Sequence, residues 1–312
     1  MIRAFVFPGQ GSQAVGMGRD LADAFATARD VFGEVDEALK QKLSALMFEG
    51  PLDELTLTEN AQPALMAVSV AVARVLEKDG GLELAKAARF VAGHSLGEYS
   101  ALCAAGALTL ADTARLLKLR GQSMQRAVPV GVGAMAAIIG ADFEAARAIA
   151  QDAAQGEVCT AANDNAPGQV VISGHKSAVE RAIAIAAERG FKRAVLLPVS
   201  APFHCPLMQP AADAMAEALA DTAIQAPRVP LVANVIASTV TDPAEIRHLL
   251  VEQVTGSVRW RESVLFMKEQ GVEQLVELGA GKVLAGMAKR IDKDMTAVSL
   301  GLPADIDAFL KA

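Results

Sequence analysis

The chain has 312 residues, of which 52% are apolar and 21% are charged, and its formal net charge is −7. A chain of this length can bury about 75% of its unfolded surface, which predicts one large domain or one domain with an insert. The acidic balance argues against a general nucleic-acid-binding protein, because phosphate neutralisation requires clustered lysine and arginine.

The cysteines and the apolar runs exclude further classes. Cys103, Cys159 and Cys205 form no C-x-x-C pair and have no zinc-ligand spacing with histidine, so we expect reduced thiols, no metal and a cytoplasmic protein. The opening stretch MIRAFVF is too short for a signal peptide, and the longest apolar runs fall short of the ~20 residues of a membrane span. We therefore expect no membrane or nucleic-acid partner, and a monomer.

Apolar runs alternate with stretches of helical spacing along most of the chain. The best predicted helix covers residues 60–78, with Thr58 as its cap. Alternating strands and helices indicate an α/β fold with a mostly parallel sheet that is covered on both faces. The strands predicted for this sheet are residues 2–7, 89–93, 229–234, 273–277 and 296–300.

The loop after the first predicted strand, FPGQGSQA, has the glycine spacing of a dinucleotide-binding turn. Gly9, Gly11 and Ala14 match G-x-G-x-x-G/A. A dinucleotide site also requires a second strand about 20 residues later that ends in an acid. Residues 20–42 have instead the pattern of a charged helix. A nucleotide-binding oxidoreductase is therefore a weak alternative.

Residues 129–198 interrupt the alternation. The elements predicted there are a strand at 134–139, a helix at 142–153, strands at 158–162 and 169–173, a helix at 176–189 and a strand at 193–198. The order β-α-β-β-α-β is typical of ferredoxin-like domains. We expect this domain to be inserted into a larger one formed by residues 1–128 and 199–312, with a cleft between them.

The stretch FVAGHSLGEYSA, residues 90–101, predicts a nucleophile. Ser95 is the central residue of a G-x-S-x-G motif that follows a predicted strand and precedes a helix-compatible run. The glycines leave room for a sharp turn that exposes the serine at the carboxyl edge of the sheet. The alternative is a glycine-rich turn whose serine only caps a helix.

A serine nucleophile requires a base, and the chain has four histidines. His94 adjoins the serine and should point elsewhere, His175 begins a predicted helix of the insert, and His248 lies on a polar helix face. His204 lies in VSAPFHCPLM, a segment held by two prolines just after the insert. We therefore predict His204 as the base, against the alternative of a structural histidine whose hydrogen bonds are satisfied.

Six stretches of the chain carry a family resemblance. In one order along nearly the whole sequence they are FPGQGSQ, GHSLGEY, RGQSMQ, NAPGQVVISG, PFHCPLM and QVTGSVRW. Together they closely resemble the malonyl-CoA:acyl carrier protein transacylase family, the acyltransferases of type II fatty acid synthesis. Acyltransferase domains of polyketide synthases are next nearest. The resemblance implies an α/β-hydrolase-like large domain with a ferredoxin-like insert, in agreement with the predicted elements.

The resemblance also implies a mechanism. Ser95 would attack the thioester of malonyl-CoA, with His204 as base, and the acyl group would pass to the phosphopantetheine thiol of acyl carrier protein. The backbone carbonyl of Gln253 would orient His204, although its place near a predicted helix end also fits an ordinary solvated residue. The N–H groups of Gln10 and Leu96 would form the oxyanion hole. No cofactor or metal is implied, since malonyl-CoA is a substrate and phosphopantetheine belongs to the partner.

Specificity follows from one arginine in the same resemblance. Helical periodicity places Arg120 and Lys118 on opposite flanks of an apolar stripe and does not choose between them. The family pattern implies that Arg120 forms a bidentate pair with the free carboxylate of malonate. Asn165 and Gln169 match the family's N-x-P-G-Q loop, which lines the cleft and would contact coenzyme A.

Rival functions share part of this pattern. A serine thioesterase or hydrolase would use the same serine and histidine with water as the acceptor, and a noncatalytic binding module would use the cleft alone. Docking of an acidic carrier protein to an acidic chain requires a local basic surface. The candidates are Lys282, Lys289 and Arg290, or Lys192 and Arg193.

Overall fold

The computed structural model describes all residues 1–312 and contains two β-sheets covered by helices. The strands are β1 (Arg3–Phe7), β2 (Phe90–Gly93), β3 (Gly133–Ile139), β4 (Cys159–Ala166), β5 (Gln169–His175), β6 (Arg193–Leu196), β7 (Leu231–Ala233), β8 (Ser238–Val240), β9 (Gln274–Leu278) and β10 (Thr296–Leu300). The α-helices are α1 (Arg19–Ala24), α2 (Ala26–Leu39), α3 (Leu43–Glu49), α4 (Leu52–Thr56), α5 (Thr58–Lys78), α6 (Leu84–Ala87), α7 (Gly97–Ala104), α8 (Leu110–Ala127), α9 (Phe143–Ala154), α10 (Lys176–Glu188), α11 (Gln209–Ala220), α12 (Pro243–Thr255), α13 (Trp260–Glu269), α14 (Val283–Ile291) and α15 (Pro303–Leu310). No helix has the length and apolarity that crossing a membrane requires.

The larger sheet has the strand order β10-β9-β1-β2-β7-β8. All its neighbouring strands are parallel except the pair β7 and β8. Alternate residues of β1 enter two different hydrophobic clusters, with Phe5 and Phe7 in one and Ala4 and Val6 in the other. Both faces are therefore buried, which confirms the predicted mostly parallel sheet. The short strand β8 was not predicted.

The smaller sheet is antiparallel and has the order β4-β5-β3-β6. Its elements follow the predicted order β-α-β-β-α-β. One face packs with α9 and α10 around a separate cluster that includes Ile138, Ile149 and Ile172. The two sheets and their separate clusters support our proposal that residues 129–198 form a domain inserted between segments 1–128 and 199–312.

The packing of α5 against α8 positions a residue of the candidate site. The prediction for the start of α5 was wrong. The helix begins at Thr58, its N-cap residue is Leu57, and the Thr58 side chain does not cap it. A Cβ atom on Gly121 of α8 would lie 2.5 Å from Glu59 Cα and 2.6 Å from the carbonyl oxygen of Thr58. Only glycine allows this approach, which places the neighbouring Arg120 beside the first turns of α5.

Candidate active site

A cavity of about 470 Å³ lies between the carboxyl edge of the larger sheet and the smaller sheet. Residues of both parts of the chain line it. From the larger part these include Gln10, Gln62, Ser95, Leu96, Arg120, Phe203 and His204, and from the insert they include Met135, Asn163, Asn165 and Val171. A concave, mostly apolar space with a few converging polar groups is typical of a binding site.

Ser95 occupies a strained turn between β2 and α7. Its φ is +53°, a left-handed value that a side-chain-bearing residue adopts only when its surroundings enforce it. A Cβ atom on Gly93 would lie 1.9 Å from the backbone of Gly97, so the chain closes on itself in a way that only glycine permits. The Ser95 N–H donates to Asn234 Oδ1 at 2.8 Å. This geometry is that of a nucleophile elbow.

His204 forms a hydrogen-bonded pair with this serine. Its Nε2 lies 2.8 Å from Ser95 Oγ, and its Nδ1 lies 2.9 Å from the carbonyl oxygen of Gln253. A carbonyl only accepts, so Nδ1 carries the proton and Nε2 is left as the acceptor. Burial and the positive charge of Arg120 lower the pKa of His204 to about 3. The imidazole is therefore neutral near pH 7.

Arg120 reaches the same serine from α8. The side chain is 1% exposed, Nη1 donates to Gln62 Oε1 at 2.7 Å, and Nη2 donates to Gln253 Oε1 at 3.0 Å and Ser95 Oγ at 3.2 Å. No carboxylate lies within 4.0 Å of the guanidinium, and its Nε has no partner. Lys118, the other flank, bonds to Glu59 instead. A buried cation with no carboxylate in ion-pair contact therefore lines the cavity, and Glu98 acts on it only through its charge from beyond 4.0 Å.

Two residues that line the cavity with Ser95 have backbone N–H groups without a hydrogen-bond partner in the protein. Gln10 and Leu96 line the cavity, and neither N–H donates a hydrogen bond within the protein. Leu96 directly precedes α7, whose helix dipole favours negative charge at this end. The loop of Gln10 lies so close to the elbow that a Cβ on Gly9 would be 2.7 Å from the carbonyl oxygen of His94. Both N–H groups thus remain without a partner in the protein.

Of the two residues predicted from the N-x-P-G-Q loop, the structure brings one to the cavity. Asn165 lines it, and its Oδ1 lies 2.8 Å from His94 Nε2. His94 thus pairs with Asn165 and forms no hydrogen bond with Ser95 Oγ, and its pKa is lowered by burial. Gln169 does not line the cavity, because it begins β5 and is paired there with Ala166 and Ile139.

Asn234, which was not predicted from the sequence, forms hydrogen bonds with the backbone of the turn that carries Ser95. Its Oδ1 accepts from the Ser95 N–H and from Gln253 Nε2 at 3.2 Å, and its Nδ2 donates to the carbonyl oxygen of Gly93 at 2.6 Å. Its own N–H donates to Glu98 Oε2 at 2.8 Å. Burial raises the pKa of Glu98 to about 7. The signal in the sequence was a polar residue at the carboxyl end of an otherwise apolar strand.

Comparison with known proteins identifies the class. The family model of the acyl transferase domain matches residues 4–301. The chain is 50% identical over 308 residues to the malonyl CoA-acyl carrier protein transacylase of Escherichia coli strain K12, covering 99% of this chain and 98% of that one. An acyl-carrier-protein-S-malonyltransferase from Bartonella henselae superposes with a TM-score of 0.97 at 57% identity, covering 100% of this chain and 99% of that chain.

A third relative was solved with a partner. It is a malonyl-transacylase in complex with a type II PKS acyl-carrier protein, with a TM-score of 0.96, 46% identity, and coverage of 100% of this chain and 99% of that one. The fold and the family model thus define an acyltransferase. Within that class, the chain belongs to the malonyl CoA-acyl carrier protein transacylase family.

Proposed function

We propose that the protein transfers the malonyl group from malonyl-CoA to the phosphopantetheine thiol of acyl carrier protein, through a malonyl ester on Ser95. The observation that carries this proposal is a buried arginine with no carboxylate in ion-pair contact, 3.2 Å from a serine that is hydrogen-bonded to a neutral histidine. The serine and histidine support acyl transfer. The arginine supports an acyl group that ends in a carboxylate.

The first half-reaction moves the acyl group to the enzyme. His204 Nε2 takes the proton of Ser95 Oγ while Oγ bonds to the thioester carbonyl carbon of malonyl-CoA. The carbonyl oxygen becomes an oxyanion that accepts from the N–H groups of Gln10 and Leu96. The carbon–sulfur bond then breaks, and His204 returns its proton to the departing coenzyme A thiolate. The product is a Ser95 ester and a free thiol.

The second half-reaction reverses these steps with a different thiol. His204 takes the proton of the phosphopantetheine thiol, and the sulfur attacks the ester carbonyl through the same oxyanion hole. The ester carbon–oxygen bond breaks, and His204 returns its proton to Ser95 Oγ. Throughout, the carbonyl oxygen of Gln253 accepts from Nδ1–H, which holds the ring orientation and favours the imidazolium as it forms.

Arg120 would select the acyl group. Its unpartnered Nε and its Nη2 are donors that a malonyl carboxylate can accept from, whereas an acetyl group would leave the buried cation unpaired. The charge of Arg120 also lowers the pKa of His204. A bound carboxylate would offset that charge and make His204 a stronger base, so the same contact would favour malonyl in binding and in proton transfer.

Acyl carrier protein as the acceptor is supported by the relative that was solved in complex with one. All five basic candidates for docking are exposed, and Lys192 and Arg193 are favoured because the chain runs from them through β6 to Leu197 and Pro198 at the cavity. Asn165 is retained as a contact of the coenzyme A arm. The cytoplasmic location and the monomeric state remain predictions.

An assay with and without the acceptor tests this function. Purified protein is mixed with malonyl-CoA, and both free malonate and malonyl carrier protein are measured. The proposal predicts that the carrier carrying phosphopantetheine becomes malonylated, that the carrier lacking it does not, and that little malonate is released. Fast malonate release that carrier protein does not suppress would instead identify a thioesterase.

A further inference from the structure

We propose that Thr58 is a positioning residue that ties the oxyanion-hole loop to the malonyl-binding arginine through a buried relay of hydrogen bonds. The relay runs from Arg120 through Gln62 and Thr58 to Gln10. Thr58 does not line the cavity and so does not touch a substrate there. The inference rests on the proposed function, because it assigns a role in the same reaction.

The relay consists of three consecutive bonds. Arg120 Nη1 donates to Gln62 Oε1 at 2.7 Å, Gln62 Nε2 donates to Thr58 Oγ1 at 3.0 Å, and Thr58 Oγ1 donates to Gln10 Oε1 at 2.8 Å. Arg120 and Thr58 are each 1% exposed, and Gln62 is 2% exposed. Water therefore has little access to replace a lost bond in the interior of the relay.

The arginine fixes the direction of every bond. A guanidinium only donates, so Gln62 must present its carbonyl oxygen to Arg120 and its NH₂ group to Thr58. The Thr58 oxygen then accepts, and its single hydrogen remains for Gln10. A hydroxyl is needed at position 58, because it must accept from one side and donate to the other. Valine has the same branched shape and can do neither.

The last bond of the relay holds the loop of Gln10, whose side chain forms no other hydrogen bond. Gln10 is exposed, and its bond with Thr58 is the one hydrogen bond that its side chain makes. The backbone N–H of the same residue is the proposed oxyanion donor. A donor must be held near its working position before the reaction to stabilise a transient charge. Thr58 would therefore act on the maximal rate through the loop, without contact with the acyl group.

The two helices that carry the relay are held at a fixed separation. Gly121 lets α8 approach the backbone of Thr58 and Glu59, which sets Arg120 opposite Gln62. Arg120 keeps a second anchor on Gln253, so loss of Thr58 would leave the arginine in place. The relay thus predicts a defect in rate that is larger than the defect in malonyl-CoA binding.

The test compares Thr58→Val with Thr58→Ser, which keeps the hydroxyl. We measure the maximal rate of adduct formation and the half-saturating malonyl-CoA concentration in single turnover. Thr58→Val should lower the maximal rate about five- to tenfold and change half-saturation by less than about twofold, while Thr58→Ser stays within about twofold of wild type. Thr113→Val, which loses a buried hydroxyl bond to Thr109 outside the cavity, should keep the wild-type rate.

A double-mutant cycle guards against a general loss of folding. Gln10→Met keeps the backbone N–H and removes the acceptor of the Thr58 bond, so Thr58→Val and Gln10→Met together should be no worse than either alone. Equal rates for Thr58→Val and Thr58→Ser, or multiplying effects in the double variant, would overturn the relay while wild-type transfer stands. A wild-type protein that transfers no malonyl would overturn the proposed function itself.

Discussion

The guanidinium of Arg120 lies 3.2 Å from the Oγ of Ser95, although Ser95 lies in the turn before α7 and Arg120 lies in α8. The contact places the most deeply buried cation of the cavity directly at the nucleophile. An anionic acyl group bound there would compete for the donors that now reach Ser95 and Gln253. Binding of the substrate carboxylate to Arg120 would thus also break the hydrogen bond between Arg120 and Ser95 Oγ.

Removal of this cation should change the preferred acyl group. Arg120→Ala is expected to lower malonyl transfer by about 100-fold, because two charge-assisted hydrogen bonds to a desolvated carboxylate are lost. Acetyl transfer should fall less or rise. A competition assay with equal malonyl-CoA and acetyl-CoA measures the ratio directly. Arg120→Lys should recover only part of the preference, since an ammonium cannot pair bidentately. An unchanged malonyl preference in Arg120→Ala would exclude this role.

The rate of acylation should begin to fall only at unusually low pH, which places the acid limb of the pH–rate profile well below 6.5. The pKa of His204 is lowered from 6.5 to about 3 by burial and by Arg120. The base therefore stays neutral as the pH falls, and acylation at malonyl-CoA concentrations well below half-saturation, where the rate reports the free enzyme, should be nearly constant from about pH 8 to about pH 5. Arg120→Ala removes one cause of the lowered pKa and should move the acid limb to higher pH. A wild-type limb with its midpoint near 6.5 would contradict a buried base of this kind.

Glu98 should make stability depend on pH. Burial raises its pKa from 4.5 to about 7, so the folded protein binds this proton more tightly than the unfolded chain does. Its contribution to stability is fully present below about pH 4.5 and is lost as the pH rises through about 7. Glu98→Gln cannot titrate, so the Tm of the variant minus that of wild type should increase between pH 5 and pH 8.

The exposed Glu217 provides the control for this measurement. The difference between Glu217→Gln and wild type should stay nearly constant over the same range, because its charge remains in water. A Glu98→Gln difference that is equally constant would show that folding does not raise the pKa of Glu98, and it would contradict this account of its burial.

Two glycines offer a matched pair for the elbow. Gly93→Ala places a Cβ 1.9 Å from the backbone of Gly97, so we expect a loss of more than about 4 kcal/mol of unfolding free energy, seen as insoluble or unfolded protein. Gly33 lies in α2, where an added methyl group would meet no atom within 4 Å, and Gly33→Ala should stabilise by about 0.5–1 kcal/mol. Denaturant unfolding measures both. Soluble Gly93→Ala of wild-type stability would contradict the tight turn.

The fold was largely predictable because its signals are local. Continuous apolar runs indicated the buried strands of the larger sheet. Turn residues and helical periodicity indicated the β-α-β-β-α-β order of the smaller one. The three-residue strand β8 escaped because so short a stretch has no periodicity. Thr58 was interpreted as a cap because a threonine before an apolar helix is usually one. Its hydroxyl is bound instead by side chains 4 and 48 residues away in sequence.

The residues of the candidate site were also predictable where their sequence signals are local, and not where they depend on contacts between distant segments. The sequence context of Ser95 predicts an exposed turn and that of His204 predicts a rigid loop, and the structure brings the two side chains within hydrogen-bond distance. The flank occupied by Arg120 could not be chosen by periodicity, because the choice depends on how closely α8 meets α5. Asn234 and the side chain of Gln253 act through bonds that join distant segments, and such contacts leave no spacing in the sequence.

The proposed cycle depends on Ser95 carrying the malonyl group between the two thiols. The decisive experiment is intact-protein mass spectrometry after brief exposure to malonyl-CoA, followed by addition of carrier protein bearing phosphopantetheine. We expect wild type to gain one malonyl mass, the carrier to remove it and become malonylated, and Ser95→Ala to gain none. An adduct of the same mass on Ser95→Ala, or a wild-type adduct that the carrier cannot discharge, would rule out transfer through Ser95.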